Sequence, residues 1–88
     1  MKWKISYSKE AEKFINEQDI KVKVRNALKN FLQRLKGEHV NIDIRKLVGN
    51  WEGYYRIRVG KIRIIFAISK ESKEIFVEKV DHRGGVYK

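Results

Sequence analysis

The chain has 88 residues, enough for one domain spanning 1–88, and carries 21 Lys and Arg against 11 Asp and Glu, a formal net charge of +10. It has no cysteine and only two histidines, His39 and His82, which excludes a disulfide framework, a thiolate zinc site and a histidine-rich metal centre. No stretch approaches the roughly 18 apolar residues of a membrane span, and Met1–Ile5 lacks the apolar run of a signal peptide, so a cytoplasmic protein without cofactor or membrane partner is expected. So large a positive excess repels itself unless an acidic partner is at hand.

Lys2–Tyr7 alternates Trp3, Ile5 and Tyr7 against Lys2, Lys4 and Ser6, the two-residue period of a strand. Ser8 is placed to cap a short helix running to about Glu17, with Ala11, Phe14 and Ile15 on one face. Asp19 is expected to cap a second, longer helix. There Ile20, Val24, Ala27, Leu28, Phe31, Leu32 and Leu35 recur at steps of three and four, and Gly37 is suited to end the helix in the left-handed conformation. Phe14 and Phe31 fit core packing better than a cofactor pocket. In Glu38–Asn50 the residues Ile42, Ile44 and Leu47 are expected to pin a loop or short strand, with Gly49-Asn50 as a turn. Three strands follow near 53–59, 62–69 and 75–82. Helices followed by strands indicate an α+β fold: an N-terminal strand, a helical hairpin and an antiparallel three-strand meander. The helices should cover one sheet face and leave a basic, concave surface on the other.

Gly60-Lys61 suits a two-residue type II′ turn, which pairs Val59 with Ile62, Arg58 with Arg63, Ile57 with Ile64 and Arg56 with Ile65. Alternation then puts Ile57, Val59, Ile62, Ile64, Phe66 and Ile68 beneath the helices, and Arg56, Arg58 and Arg63 on the opposite side. Two arginines facing each other cost a ladder on the order of 0.2–1 kcal/mol. An anion between them reverses the sign, and phosphate matches the guanidinium fork. Solvated arginines on an exposed strand are the alternative. At the C-terminal end, Gly84 and Gly85 permit a sharp turn that brings Tyr87 back towards this face. Unbroken alternation along the last strand points His82 with Arg63; a bend at the strand end points Arg83 there instead.

The run Lys46-Leu47-Val48-Gly49, then Tyr55-Arg56-Ile57-Arg58-Val59-Gly60-Lys61-Ile62-Arg63, then His82-Arg83-Gly84-Gly85-Val86-Tyr87 resembles the RelE/ParE toxin superfamily, the RelE branch in particular. The resemblance implies the toxin of a type II toxin–antitoxin pair, a ribosome-dependent mRNA interferase that cuts mRNA in the A site and so stops translation. Its partners would be the ribosome, mRNA and an acidic antitoxin, the last in a hetero-oligomer. Carried over by position, Arg63 becomes the phosphate-stabilising arginine, Arg83 the general acid and Tyr87 the general base of a metal-independent endoribonuclease. His82, beside Arg83, is a further catalytic candidate. Arg56 and Arg58 fall on the basic pair of the first hairpin strand, and Lys46 and Lys61 join them as RNA contacts. Two other functions compete: a ParE-like toxin that inhibits a topoisomerase without chemistry, and a non-catalytic basic RNA-binding domain.

Overall fold

The structure is a computed structural model that describes residues 2–82. Its elements run β1 (Lys4–Tyr7), α1 (Lys9–Gln18), α2 (Lys21–Leu35), β2 (Asp43–Lys46), a 3₁₀ turn (Gly49–Trp51), β3 (Tyr54–Val59), β4 (Ile62–Ser69) and β5 (Glu74–His82). The strands form one sheet in the order β1-β5-β4-β3-β2. β1 lies parallel to β5, and every other neighbouring pair is antiparallel. This is the expected α+β layering. The short strand considered for Glu38–Asn50 is real and extends the meander by one edge strand.

Ser8 opens α1 as expected. Its hydroxyl accepts from the Ala11 N–H at 3.0 Å while its own N–H donates to Val77 O at 2.9 Å. Asp19 departs from expectation. It closes α1 in the left-handed conformation, φ 56° and ψ 48°, and α2 starts from Ile20 without a side-chain cap. An N-cap needs an extended backbone. With a connection this short, the chain uses Asp19, a residue that tolerates the left-handed region, to reverse direction instead. Gly37 behaves as predicted: at φ 94° it lets its N–H reach Arg34 O at 3.0 Å and the Glu38 N–H reach Gln33 O at 3.1 Å, a Schellman ending.

The core lies between the helices and the sheet. Ala11 and Ile15 of α1, and Val24, Ala27, Leu28 and Phe31 of α2, pack on Ile57, Ile62, Ile64, Phe66, Ile75, Val77 and Val80. Leu35, at the end of the predicted stripe, is 41% exposed.

The hairpin register is the predicted one, from Val59 opposite Ile62 to Arg56 opposite Ile65. Gly60 sits at φ 58° and Lys61 has no positive φ, as a type II′ turn requires. One irregularity shapes everything after it. Between β4 and β5 the pairing steps from Ile65 opposite Lys79 to Phe66 opposite Val77, so Glu78 is an extra residue, a β-bulge. The Ser8 hydroxyl donates to the carbonyl of this bulged residue at 2.7 Å. One side chain thus serves a helix start and a strand defect 70 residues away. Ser8→Ala is expected to lower the unfolding free energy by about 1–3 kcal/mol, the sum of a lost cap and an unsatisfied carbonyl. Urea denaturation checks this, and a change below about 0.5 kcal/mol would show that water replaces both bonds.

Candidate nucleic-acid interface

The helix-free face of the sheet is read most easily as rows across the strands. Nearest the hairpin turn, Asp43, Arg58, Arg63 and Asp81 lie opposite one another in that order. The next row is Arg45, Arg56, Ile65 and Lys79. Beyond it come Tyr54, Ala67, Phe76 and Ser6. The face therefore carries a row of two arginines flanked by two aspartates, then a basic row, then one bearing aromatic rings. Phe76 is 39% exposed, and Tyr54 meets Trp51 edge-to-face at 5.2 Å.

The facing arginines are present as predicted, but acids flank them on both sides. Arg63 is held in a fork: Nε donates to Asp81 Oδ1 at 3.0 Å and Nη2 to Asp81 Oδ2 at 2.9 Å. Both side chains are mostly buried, 24% and 15% exposed, where a two-point ion pair is strongest in its geometry. Asp43 gives Arg56 a weaker, single contact at 3.5 Å and is itself 56% exposed. Arg45 and Arg58 are exposed and have no ion pair among the described residues. The mutual repulsion of Arg58 and Arg63 is thus relieved on one side from within the fold.

Arg56 carries the electrostatic tension of the face. It is 8% exposed, and its Nε is buried without a hydrogen-bond partner among the described residues. Burial, then the neighbouring guanidinium of Arg58, push its pKa below the usual arginine value; Asp43 opposes this, and Arg45 and Arg63 add to it. Arginine stays protonated all the same. The face sets Arg45, Arg56, Arg58, Arg63 and Lys79 against Asp43 and Asp81, more positive charge than its own carboxylates neutralise, a condition that an incoming anion relieves.

Not every predicted residue lies here. The bulge at Glu78 reverses the alternation of β5, so Asp81 faces Arg63 while His82 lies opposite Ile62 on the helix side. There its ring meets Phe14 edge-to-face at 5.3 Å and its Nε2 lies 3.2 Å from Gln18 Oε1. His82 is therefore separated from Arg63 by the sheet. Lys46 pairs with Tyr55, whose ring stacks on the core residue Phe66, so Lys46 also belongs to the helix side of the edge strand. Lys61 is exposed in the hairpin turn. Arg83 and Tyr87 lie outside the described residues. Sequence reasoning overlooked Arg45, Asp43, Asp81 and Lys79, all on the arginine face. The signal for Asp81 was the spacing of Ile75, Val77 and Val80, which changes parity after 77. Among the described residues, no three His, Cys, Asp or Glu side chains gather as metal ligands, and no helix is long and apolar enough to cross a membrane.

A family model described as "ParE toxin of type II toxin-antitoxin system, parDE" matches residues 5–87. Among solved structures the chain is similar to the archaeal RelE–RelB complex from Pyrococcus horikoshii OT3, with 27% identity, a TM-score of 0.60, and coverage of 96% of this chain and 98% of that one. It also resembles the RelB–RelE antitoxin–toxin complex of Methanococcus jannaschii, at 24% identity and a TM-score of 0.63, covering 92% and 93%. YafQ from E. coli strain BL21(DE3) has the same fold at 17% identity and a TM-score of 0.60, covering 99% and 100%. No curated protein sequence matches.

Proposed function

The chain belongs to the ParE toxin family of type II toxin–antitoxin systems, within the RelE/ParE superfamily, and from that premise we propose that it is a ribosome-dependent endoribonuclease that cuts mRNA in the A site. The observation that carries this reading is the arginine face: Arg45, Arg56, Arg58 and Arg63 share it with an adjoining row that holds Tyr54 and Phe76. Guanidiniums suit a phosphate backbone, and exposed rings suit unstacked bases, the combination by which single-stranded RNA is held.

RNA supplies its own nucleophile, the 2′-OH next to the scissile phosphate. Removing its proton, stabilising the phosphorane and protonating the leaving 5′-oxygen yield a 2′,3′-cyclic phosphate and a 5′-OH, with all atoms accounted for. Arg63 is assigned the phosphorane charge, where preorganised donors contribute most. Tyr87 is assigned the proton removal and Arg83 the proton delivery. A tyrosine near pKa 10 is a poor base alone, but guanidiniums brought beside it would favour its phenolate. Arg45 and Arg58, the exposed cations, bind the backbone. The ribosome supplies further positioning. The cognate partner is an acidic antitoxin whose carboxylates neutralise the same face, which makes their association fast and salt-sensitive. The protein acts in the cytoplasm, where its substrate is.

The family description itself favours a second reading, a topoisomerase-inhibiting toxin that performs no chemistry. Expression without an antitoxin separates the two. Pulse labelling is expected to show protein synthesis falling before DNA synthesis, with new 5′-OH ends mapping inside translated codons. DNA synthesis falling first, with intact mRNA, would decide for the topoisomerase reading.

A further inference from the structure

The geometry points to Asp81 as a positioning residue that holds Arg63 at a fixed angle on the arginine face, lowering affinity for the RNA backbone while raising the rate of cutting; this rests on the nuclease reading above. Four observations lead to it. Asp81 reaches Arg63 only because the Glu78 bulge turns it to this face. The contact uses two donors of the guanidinium, Nε at 3.0 Å and Nη2 at 2.9 Å, so it fixes the plane of the group as well as its place. Both side chains are mostly buried, 15% exposed for Asp81 and 24% for Arg63, so the pair is shielded from competing water. No other arginine of the face is held this way: Arg56 has a single 3.5 Å contact, and Arg45 and Arg58 have no ion pair among the described residues.

A carboxylate beside a phosphate-binding arginine is unhelpful for binding. It repels the backbone and occupies donors that a phosphate would use. It is useful for chemistry, because a guanidinium already oriented need not reorganise as charge builds on the phosphorane. Interactions spent this way raise the rate and not the affinity. The face is thus divided: exposed Arg45 and Arg58 attract the strand, and Arg63 waits in a set orientation.

Asp81→Asn keeps the shape and removes the charge. Single-turnover cutting on saturating ribosomes is expected to fall about 10- to 100-fold, the scale of a misaligned group, while affinity for ribosome-bound mRNA rises or stays level. Asp81→Glu restores the charge and should return affinity to the parent value with part of the rate. In the free protein, the Arg63 Nε–H proton should exchange slowly by NMR and do so faster in Asp81→Asn. A merely structural role would lower rate and affinity together, in line with the folded fraction, and would overturn the proposal. So would cutting by Asp81→Asn at or above the parent rate, which would make Asp81 a competitor of the phosphate. If the parent protein leaves translated mRNA intact, the nuclease reading falls and the role of Asp81 falls with it. The Nε–H exchange then still reports whether Arg63 is held, so the two failures are told apart.

Discussion

Arg63→Ala is expected to slow single-turnover cleavage of ribosome-bound mRNA by about 10²–10³-fold, the cost of removing one preorganised donor from a developing oxyanion. Ribosome affinity should change only a few-fold, because Arg63 is engaged by Asp81 before any substrate arrives. Arg58→Ala should show the reverse pattern. It is an exposed cation, so its loss weakens association and reduces the salt dependence by about one charge, with little effect on the rate at saturation. Equal binding losses in both variants would sink this division of labour. Arg63→Ala also strands the Asp81 carboxylate, so Arg63→Lys is the companion: it keeps the counter-charge but lacks the planar fork. A lysine variant as fast as the parent would show that charge alone suffices.

The second large effect lies behind the face. Phe66→Ala is expected to lower the unfolding free energy by about 3–5 kcal/mol. Phe66 is fully buried; it meets Phe31 edge-to-face at 5.0 Å and lies nearly parallel to Tyr55 at 5.9 Å. Phe31 and Tyr55 also touch, at 5.9 Å, so three rings tie α2 to β3 and β4. These are the strands that carry Arg56, Arg58 and Arg63 on their other side. Domains of this size hold only about 5–13 kcal/mol in all, so the loss is a large fraction. Urea denaturation measures it; a cost under about 1 kcal/mol would mean that the remaining rings close the gap.

The hairpin was legible because two local signals agree there: a Gly-first turn and apolar alternation on the arms next to it, Ile57 and Val59 on one and Ile62 and Ile64 on the other. The helices were legible from their stripes, and their ends less so. Asp19 carries an N-cap side chain, but only a view of both helices shows that the connection is too short to use it. β2 was hard to read because four residues, Asp43-Ile44-Arg45-Lys46, offer only one apolar position to set a period. That gap hid Arg45 and Asp43. On β5 the assumption of strict alternation led to His82, whereas the step from Val77 to Val80 marked the inserted residue. A carboxylate that neutralises an arginine across strands is also invisible to local reading, since Arg63 and Asp81 are 18 positions apart.

The bulge makes the face dependent on something outside it. The same residues paired without the bulge would put His82, not Asp81, on the arginine side: an imidazole in place of a carboxylate. A one-residue slip in pairing along β5 therefore exchanges one chemical group for another, with no substitution at the site itself. The carbonyl freed by the extra residue accepts from the Ser8 hydroxyl at the head of α1. Grafting β5 from one protein into another thus carries a hidden dependency. The recipient must supply a hydroxyl at the start of its first helix, or the bulge carbonyl is left without its partner.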